Sequence, residues 1–306
     1  FPIDCNFISQ KFLDYWKPSK AFFIDSEIWP ITINNLHKRN TPIFLLNGRI
    51  TNKSFNRWKV FSSFARSIFS KFNLCLSSNN ETRKYLKKLG AQNIKIIGNL
   101  KFSQSENEKA SLNIDLMNFI NSRKTWCASS THYNEEQFCG MAHIKLKKKF
   151  KNLLTIIIPR HINRINSIKT ELNNLNLEVH LDEPKKKINP NTDIYLVNSY
   201  GKTKLFYKAC KNIFLGGSLI KHGGQNPLEA TRYGCKVIHG PNVSNFREIY
   251  KFLNRKNLSR KITNQDQLIN YVNKYFNSKN NSKKIIRDLH LMGMDILDKT
   301  YKEINK

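Results

Sequence analysis

Gly216-Gly217-Ser218-Leu219, followed closely by His222-Gly223-Gly224-Gln225-Asn226-Pro227-Leu228-Glu229, is the stretch whose reading decides the fold. It comes directly after an apolar β-type run, Ile213 to Leu215, and leads into a helix start at Asn226-Pro227. A strand ending in Gly-Gly lets backbone N–H groups come close to a ligand, and a helix beginning near Pro227 turns its positive end toward an anion. The same glycines also serve simple tight turns. Two glycine pairs, a helix start and a preceding strand together favour phosphate-binding geometry, with Glu229 one turn in, placed to accept hydrogen bonds from ribose hydroxyls.

Working outward, Gly240-Pro241-Asn242, Asn245-Phe246 and Glu248 form a second strand-to-helix turn. In open parallel sheets ligands sit beyond the carboxyl ends of strands, so such turns converge on one crevice. Pro159-Arg160-His161, with Arg164 beyond, brings basic groups to the same edge, and the Arg160 guanidinium suits a phosphate because it donates two parallel hydrogen bonds. His161 reads equally as structural. Ala128-Ser129-Ser130-Thr131-His132, ahead of Glu135 and Glu136, offers hydroxyls and an imidazole there, or merely caps and turns. Asp25-Ser26-Glu27-Ile28-Trp29-Pro30 puts two carboxylates at another strand end, where acid–base work and helix-dipole compensation are both open readings.

Short β-rich runs alternate with longer amphipathic ones throughout, the pattern of parallel sheets with crossover helices. Strands are expected at Ala21 to Asp25, Pro42 to Asn47, Asn73 to Ser77, Ile94 to Gly98, Thr125 to Ala128, Leu153 to Ile158, Leu177 to Leu181, Ile194 to Val197, Ile213 to Leu215 and Lys236 to His239. Helices are expected over Glu27 to Lys38, Ser54 to Ser70, Asn79 to Leu89, Asn264 to Phe276 and Ser282 to Ile304. The polar stretch Ser103 to Lys109 marks a domain boundary. Lys145 to Lys151, Lys185 to Lys187, Arg255 to Lys261 and Lys283 to Arg287 read as solvated charge runs.

The chain has 306 residues, 40% of them hydrophobic, enough for two α/β units with real cores. With 52 Lys+Arg against 22 Asp+Glu, its net charge of +30 attracts anions over about 8 Å, unless the excess only reflects a lysine-rich codon usage. Nucleic acid, an anionic membrane and phosphorylated substrates all qualify as partners. The sequence has no helix-turn-helix and no aromatic-basic RNA motif, which disfavours nucleic acid. Six scattered cysteines without a C-x-x-C pair read as reduced core residues, and neither a metal nor another cofactor is expected. No apolar run approaches the roughly 18 residues of a membrane span.

In order along nearly the whole chain, these segments resemble the Kdo (3-deoxy-D-manno-octulosonic acid) transferases. The resemblance rests on Asp25 to Pro30 (family pattern E-T-E-L-W-P), Asn47-Gly48-Arg49 (N-A-R), Gly98-Asn99-Leu100-Lys101-Phe102, the A-S-S-T-H-x-x-E-E run, P-R-H-x-x-R, and G-G-S-L-x-x-x-G-G-Q-N-P-L-E with G-P-x-x-x-N-F. It implies an α/β fold of the GT-B type, two Rossmann-like domains facing a cleft, the first incomplete. Residues 1–105 would be the C-terminal part of the acceptor domain, 106–280 the CMP-sugar donor domain, and 281–306 a C-terminal helix packing back toward the first.

By the same resemblance, the activity is transfer of Kdo from CMP-Kdo to the lipid A precursor, lipid IVA, at the cytoplasmic face of the bacterial inner membrane, inverting and metal-independent. CMP-Kdo, the lipid A precursor and the anionic membrane surface are the implied partners; nucleic acid is not. Pro159, Arg160, Tyr200, Gly201, Lys202, Asn226, Pro227, Leu228 and Glu229 would contact CMP, with Gly216, Gly217 and Ser218 beside the donor. Asp25 and Lys101 match transition-state stabilisers, a role in which a cation near developing negative charge is physically sensible.

Three departures stand out. Asp25 replaces a Glu and is one methylene shorter. Lys202 replaces a Glu in a G-E-L turn, reversing the charge and exchanging a ribose contact for a phosphate one. No residue matches the family's basic Glu in S-x-G-E. The resemblance places that Glu, the membrane anchor and the first strands ahead of Phe1, so residues 1–306 alone are expected to bind CMP-Kdo weakly or not at all, without turnover. A GT-B enzyme for another nucleotide sugar, such as a UDP-sugar transferase or epimerase, and an inactive homologue are the alternatives.

Overall fold

A computed structural model describes residues 3–104, 110–183, 187–278 and 282–305. The chain divides into two units: Phe1–Ser105 with His290–Lys306, and Glu106–Leu289. The expected boundary at Ser103 to Lys109 falls largely on residues 105–109, and the Lys185 to Lys187 run partly on 184–186, both outside the described residues.

In the first unit, strands β1 (Ala21–Ile24), β2 (Ile43–Gly48), β3 (Leu74–Ser77) and β4 (Ile94–Ile96) form a parallel sheet in sequence order. Ile33 and Leu36, Ile43 and Leu45, and Ile68 and Phe69 fill its core. The helix expected from Glu27 runs Pro30–Lys38, because Pro30 at the first position presets the helical φ and Trp29 before it is extended. The expected Ser54 to Ser70 helix is two, Asn52–Val60 and Ser62–Phe69, parted at Phe61 (φ −111°, ψ 61°). The first buries no residue and the second buries Ala65, Ile68 and Phe69, so the break redirects the apolar stripe toward the core. Asn79 caps the next helix, its side chain accepting the Thr82 N–H at 2.8 Å.

The last helix, Ser282–Ile304, brings its C-terminal part into this unit. A Cβ at Gly293 would lie 2.2 Å from the Phe102 carbonyl oxygen, and one at Gly98 would lie 2.9 Å from Ile296. Only glycine permits the first approach, and Gly98 is further fixed by its left-handed backbone at φ 115°. Lys95 and Glu303 close the contact as an ion pair at 2.5 Å.

In the second unit, β5 (Lys124–Thr131), β6 (Leu153–Pro159), β7 (Val179–Leu181), β8 (Ile194–Leu196), β9 (Asn212–Leu215), β10 (Lys236–His239) and β11 (Ser259–Lys261) form a parallel sheet ordered β11-β10-β9-β5-β6-β8-β7. Alternate residues divide between two cores: Trp126, Ala128, Ile157 and Phe214 face one, Cys127, Ile156, Ile158 and Leu215 the other. A sheet buried on both faces reads as continuous apolar runs, hence the legibility of the central strands. Arg255, Lys256 and Lys261 are exposed, as expected of a solvated charge run, and the end of that run adds the unforeseen edge strand β11. Its Ser259 is buried and pairs with Val237, and an edge strand needs no apolar alternation to be held by a neighbour.

Candidate functional site

The sheet order reverses between β5 and β9, since β5 is followed outward by β6 on one side and β9 by β10 on the other. Ligand crevices of doubly wound sheets open at such a switch point, beyond the carboxyl ends. Here β5 ends in a bulge between Ser129 and Thr131, with Ser130 in the left-handed region at φ 55°. Across the seam, a Cβ on Gly216 would come within 2.6 Å of the Ser130 carbonyl oxygen and the Thr131 Cα. Gly216 is thus required by the approach of two protein backbones.

The buried Glu135 carboxylate accepts the N–H groups of Gly217 (2.7 Å), Leu219 (2.9 Å), Ser218 (3.1 Å) and His132 (3.0 Å). The amides that the sequence offers to a phosphate are therefore held by a carboxylate of the protein itself. Ser218 is equally occupied: its hydroxyl donates to the Leu215 carbonyl at 2.6 Å and accepts the Gly240 N–H at 2.8 Å, tying the two strand-end turns together. Gly216 to Ser218 are thus spent on joining the strand ends, and Glu135, named in the sequence only as part of the run after His132, is the residue whose role sequence reasoning did not foresee.

The neighbouring Glu136 is fully buried and takes both Arg164 nitrogens at 3.1 Å. Burial pushes its carboxyl up, and Arg164 opposes the shift. Arg164 is spent on this pair. Arg160 is exposed, makes no ion pair among the described residues, and uses its backbone N–H to extend the ladder to the Thr131 carbonyl at 2.9 Å. Of the two arginines expected at this edge, Arg160 offers a guanidinium to a ligand. Beside it the His132 ring lies 4.4 Å from His222 and 5.6 Å from His161, centroid to centroid.

The helix expected near Pro227 runs Pro227–Arg232, with Pro227 first and Asn226 capping it by accepting the Leu228 N–H at 3.1 Å. Leu228 is buried, and Glu229 lies half-buried in the first turn. Gly224 N–H to Gly217 carbonyl (2.9 Å) and Asn245 N–H to Gly223 carbonyl (3.0 Å) lock this turn to its neighbours. A cavity of about 370 Å³ opens here, lined by Lys221, His222, Asn242 and Arg247.

Beyond β8, Tyr200 is exposed and Gly201 turns at φ 84°. Lys202 pairs at 2.7 Å with buried Asp182, which also accepts the Tyr195 hydroxyl at 2.7 Å. Tyr195, Asp182 and Lys202 border a cavity of about 730 Å³. The Lys at this turn therefore arrives with its own counter-charge, a pairing invisible in sequence because the partners are 20 residues apart.

In the first unit, the structure brings Asp25 and Lys101 together: the ammonium lies 3.4 Å from Asp25 Oδ2. Asn47 organises both. Its amide donates to Asp25 Oδ1, and its carbonyl oxygen accepts the Leu100 N–H at 2.9 Å. Asp25 (φ 58°) and Asn47 (φ 52°) are both left-handed, a conformation that Asp and Asn tolerate better than other side chains. Glu27, the second carboxylate expected here, accepts the Trp29 indole N–H at 3.1 Å. Among the described residues no cluster of three His, Cys, Asp or Glu side chains is fit to hold a metal.

Residues 1–104 match the model of the family described as 3-deoxy-D-manno-octulosonic-acid transferase (kdotransferase). The 3-deoxy-D-manno-octulosonic acid transferase of Rickettsia bellii is 31% identical over 288 residues, covering 93% of this chain and 68% of its own. That of Rickettsia prowazekii is 33% identical over 287 residues, covering 91% of this chain, which spans 60% of the relative's length. Among solved structures, the C-terminal CMP-Kdo binding domain of WaaA from Acinetobacter baumannii is 26% identical, with a TM-score of 0.52, covering 57% of this chain and 91% of that one. A putative UDP-N-acetylglucosamine 2-epimerase from Listeria monocytogenes shares the fold at 11% identity, with a TM-score of 0.64 over 97% of this chain and 77% of that one.

Proposed function

The chain belongs to the 3-deoxy-D-manno-octulosonic acid (Kdo) transferase family of glycosyltransferases, and from that premise we propose that its second unit holds CMP-Kdo, the donor from which Kdo passes, with inversion, to the lipid A precursor lipid IVA. The observation that carries this reading is the convergence of Pro159-Arg160, Tyr200 to Lys202, Gly216 to Ser218 and Asn226 to Glu229 on the carboxyl edge of one parallel sheet. Arg160 would take the phosphate, a planar donor pair meeting two oxygens. Glu229 would accept the ribose hydroxyls. With the Gly217 to Leu219 amides committed to Glu135, the negative charge of the donor is left to side-chain cations, and Lys221 and Arg247 around the 370 Å³ cavity supply them.

In the first unit, the acceptor side of the proposal, Lys101 would stabilise charge developing in the transition state, and Asp25 and Asn47 would hold it in place. Residues 1–306 contain no S-x-G-E segment. We therefore expect them to bind CMP-Kdo weakly and to complete no transfer by themselves.

An anionic membrane surface, at the cytoplasmic face of the inner membrane, is the third proposed partner. The first unit exposes Tyr15, Trp16, Val60, Phe61 and Phe64 among Lys17, Arg57, Lys59 and Arg66. Aromatic and basic groups together suit an interface of acyl chains and anionic headgroups. No helix among the described residues is long and apolar enough to cross a membrane.

Thermal unfolding with added nucleotides tests the donor reading. CMP should raise the midpoint and UDP should not, and Arg160→Ala should abolish the effect. Protection by UDP alone would overturn the choice of nucleotide. Incubation with lipid IVA and CMP-Kdo tests the expected lack of turnover, which a normal rate would refute.

A further inference from the structure

His132 sits at the switch point with one ring nitrogen bound and the other without a partner. Its Nδ1 lies 3.1 Å from the Ser130 carbonyl oxygen. A carbonyl can only accept, so Nδ1 carries the proton and Nε2 presents a lone pair. The side chain is 7% exposed, and Nε2 is buried with no hydrogen-bond partner among the described residues. The bulge at Ser130 aims that carbonyl, and Gly217 gives the ring room, since a Cβ there would approach it to 3.0 Å.

A buried acceptor left unmatched is costly, and native structures leave few of them. Satisfying Nε2 by protonation is unfavourable, because burial first, then His222, with His161 and Arg160 nearby, push the imidazole down to about 4. The lone pair therefore calls for a neutral donor. Phosphate and carboxylate oxygens are excluded because they too are acceptors. A hydroxyl fits. The exposed His222 ring lies 4.4 Å from the His132 ring, tilted at 45° to it, and also lines the 370 Å³ cavity, so His132 sits one ring away from that cavity.

We propose that His132 Nε2 accepts a hydrogen bond from a hydroxyl group of the bound sugar nucleotide, adding a binding residue to the donor site. The inference rests on the reading of the second unit as that site. The hydroxyl belongs either to the ribose or to the transferred sugar.

The experiment is nitrogen NMR of the histidine side chains in the whole chain, titrated with CMP and separately with CMP-Kdo, alongside affinities for wild type, His132→Ala and His132→Gln. A His132 Nε2 resonance that moves with CMP assigns the ribose, and one that moves only with CMP-Kdo assigns the sugar. In either case His132→Ala should weaken that probe about tenfold, the scale of one hydrogen bond. The acceptor oxygen of His132→Gln should recover part of the loss, which a purely structural role would not produce. A probe that binds without moving Nε2, as when the missing donor is a trapped water, overturns the inference and leaves the donor-site reading standing. Failure of both probes to bind removes the donor-site reading and the inference with it.

Discussion

The Glu135 carboxylate accepts the Gly217 N–H at 2.7 Å across 82 residues of sequence, and takes the next two amides and that of His132 as well. Glu135→Ala would strand four N–H groups in a buried seam, each unsatisfied group costing about 1–3 kcal/mol. Relaxation and water entry will recover part, so a loss of roughly 3–5 kcal/mol is expected in urea unfolding of the second unit. Glu135→Gln keeps one acceptor oxygen and should fall between. A near-neutral Ala variant would show that the seam is not held this way.

Glycine substitutions separate close approach from backbone conformation. Gly216→Ala forces a Cβ to 2.6 Å from two backbone atoms and should cost about 3 kcal/mol or more. Gly201→Ala meets nothing within 4 Å but keeps φ at +84°, so a cost of about 1–2 kcal/mol is expected. Equal losses in chemical denaturation would contradict this order.

Asp182 and Lys202 form a testable pair. Lys202→Glu puts a second carboxylate beside buried Asp182 and should destabilise by about 2 kcal/mol, discounted because Lys202 is one-third exposed. Asp182→Asn combined with Lys202→Glu should return most of it. Additive losses in the double-mutant cycle would mean the pair carries no coupling.

Acid sensitivity follows from the histidines. Burial chiefly pushes both His132 and His239 down to about 4, from an ordinary value near 6.5. The folded state then binds fewer protons than the unfolded one between these values. This stability is fully present above about 6.5 and is lost as pH falls toward about 4, by up to ~3 kcal/mol per residue. Melting temperature measured across that window should drop steeply, and His239→Phe should flatten the slope. A flat wild-type profile would contradict the burial argument.

The sequence disclosed those parts of the fold that follow from local physics. Leu153 to Ile158 reads as a strand because both its faces are buried, and Asn79 and Pro227 mark helix starts through capping and fixed φ. Ser259–Lys261 has no such pattern, as an edge strand is held by β10 rather than by its own side chains. Glu135, in the first turn of a helix, looks the same as any acid placed there for the dipole, and its partners become visible only when β5 and β9 are adjacent. Asn47 carried a clue in the Asn-Gly-Arg segment, since Asn readily adopts the left-handed backbone that lets it reach Asp25 and Leu100.

The passage of Ser282–Ile304 from the second unit into the first has a consequence for the order of synthesis. The second unit is contiguous in the chain and can close while translation continues. The first unit awaits Gly293, Ile296 and Glu303 to cover Phe102, Gly98 and Lys95, although its strands emerge from the ribosome first. Within residues 1–306, the sheet of the first unit is therefore made before the second unit and covered after it, the reverse of domain-by-domain completion from the N-terminal side.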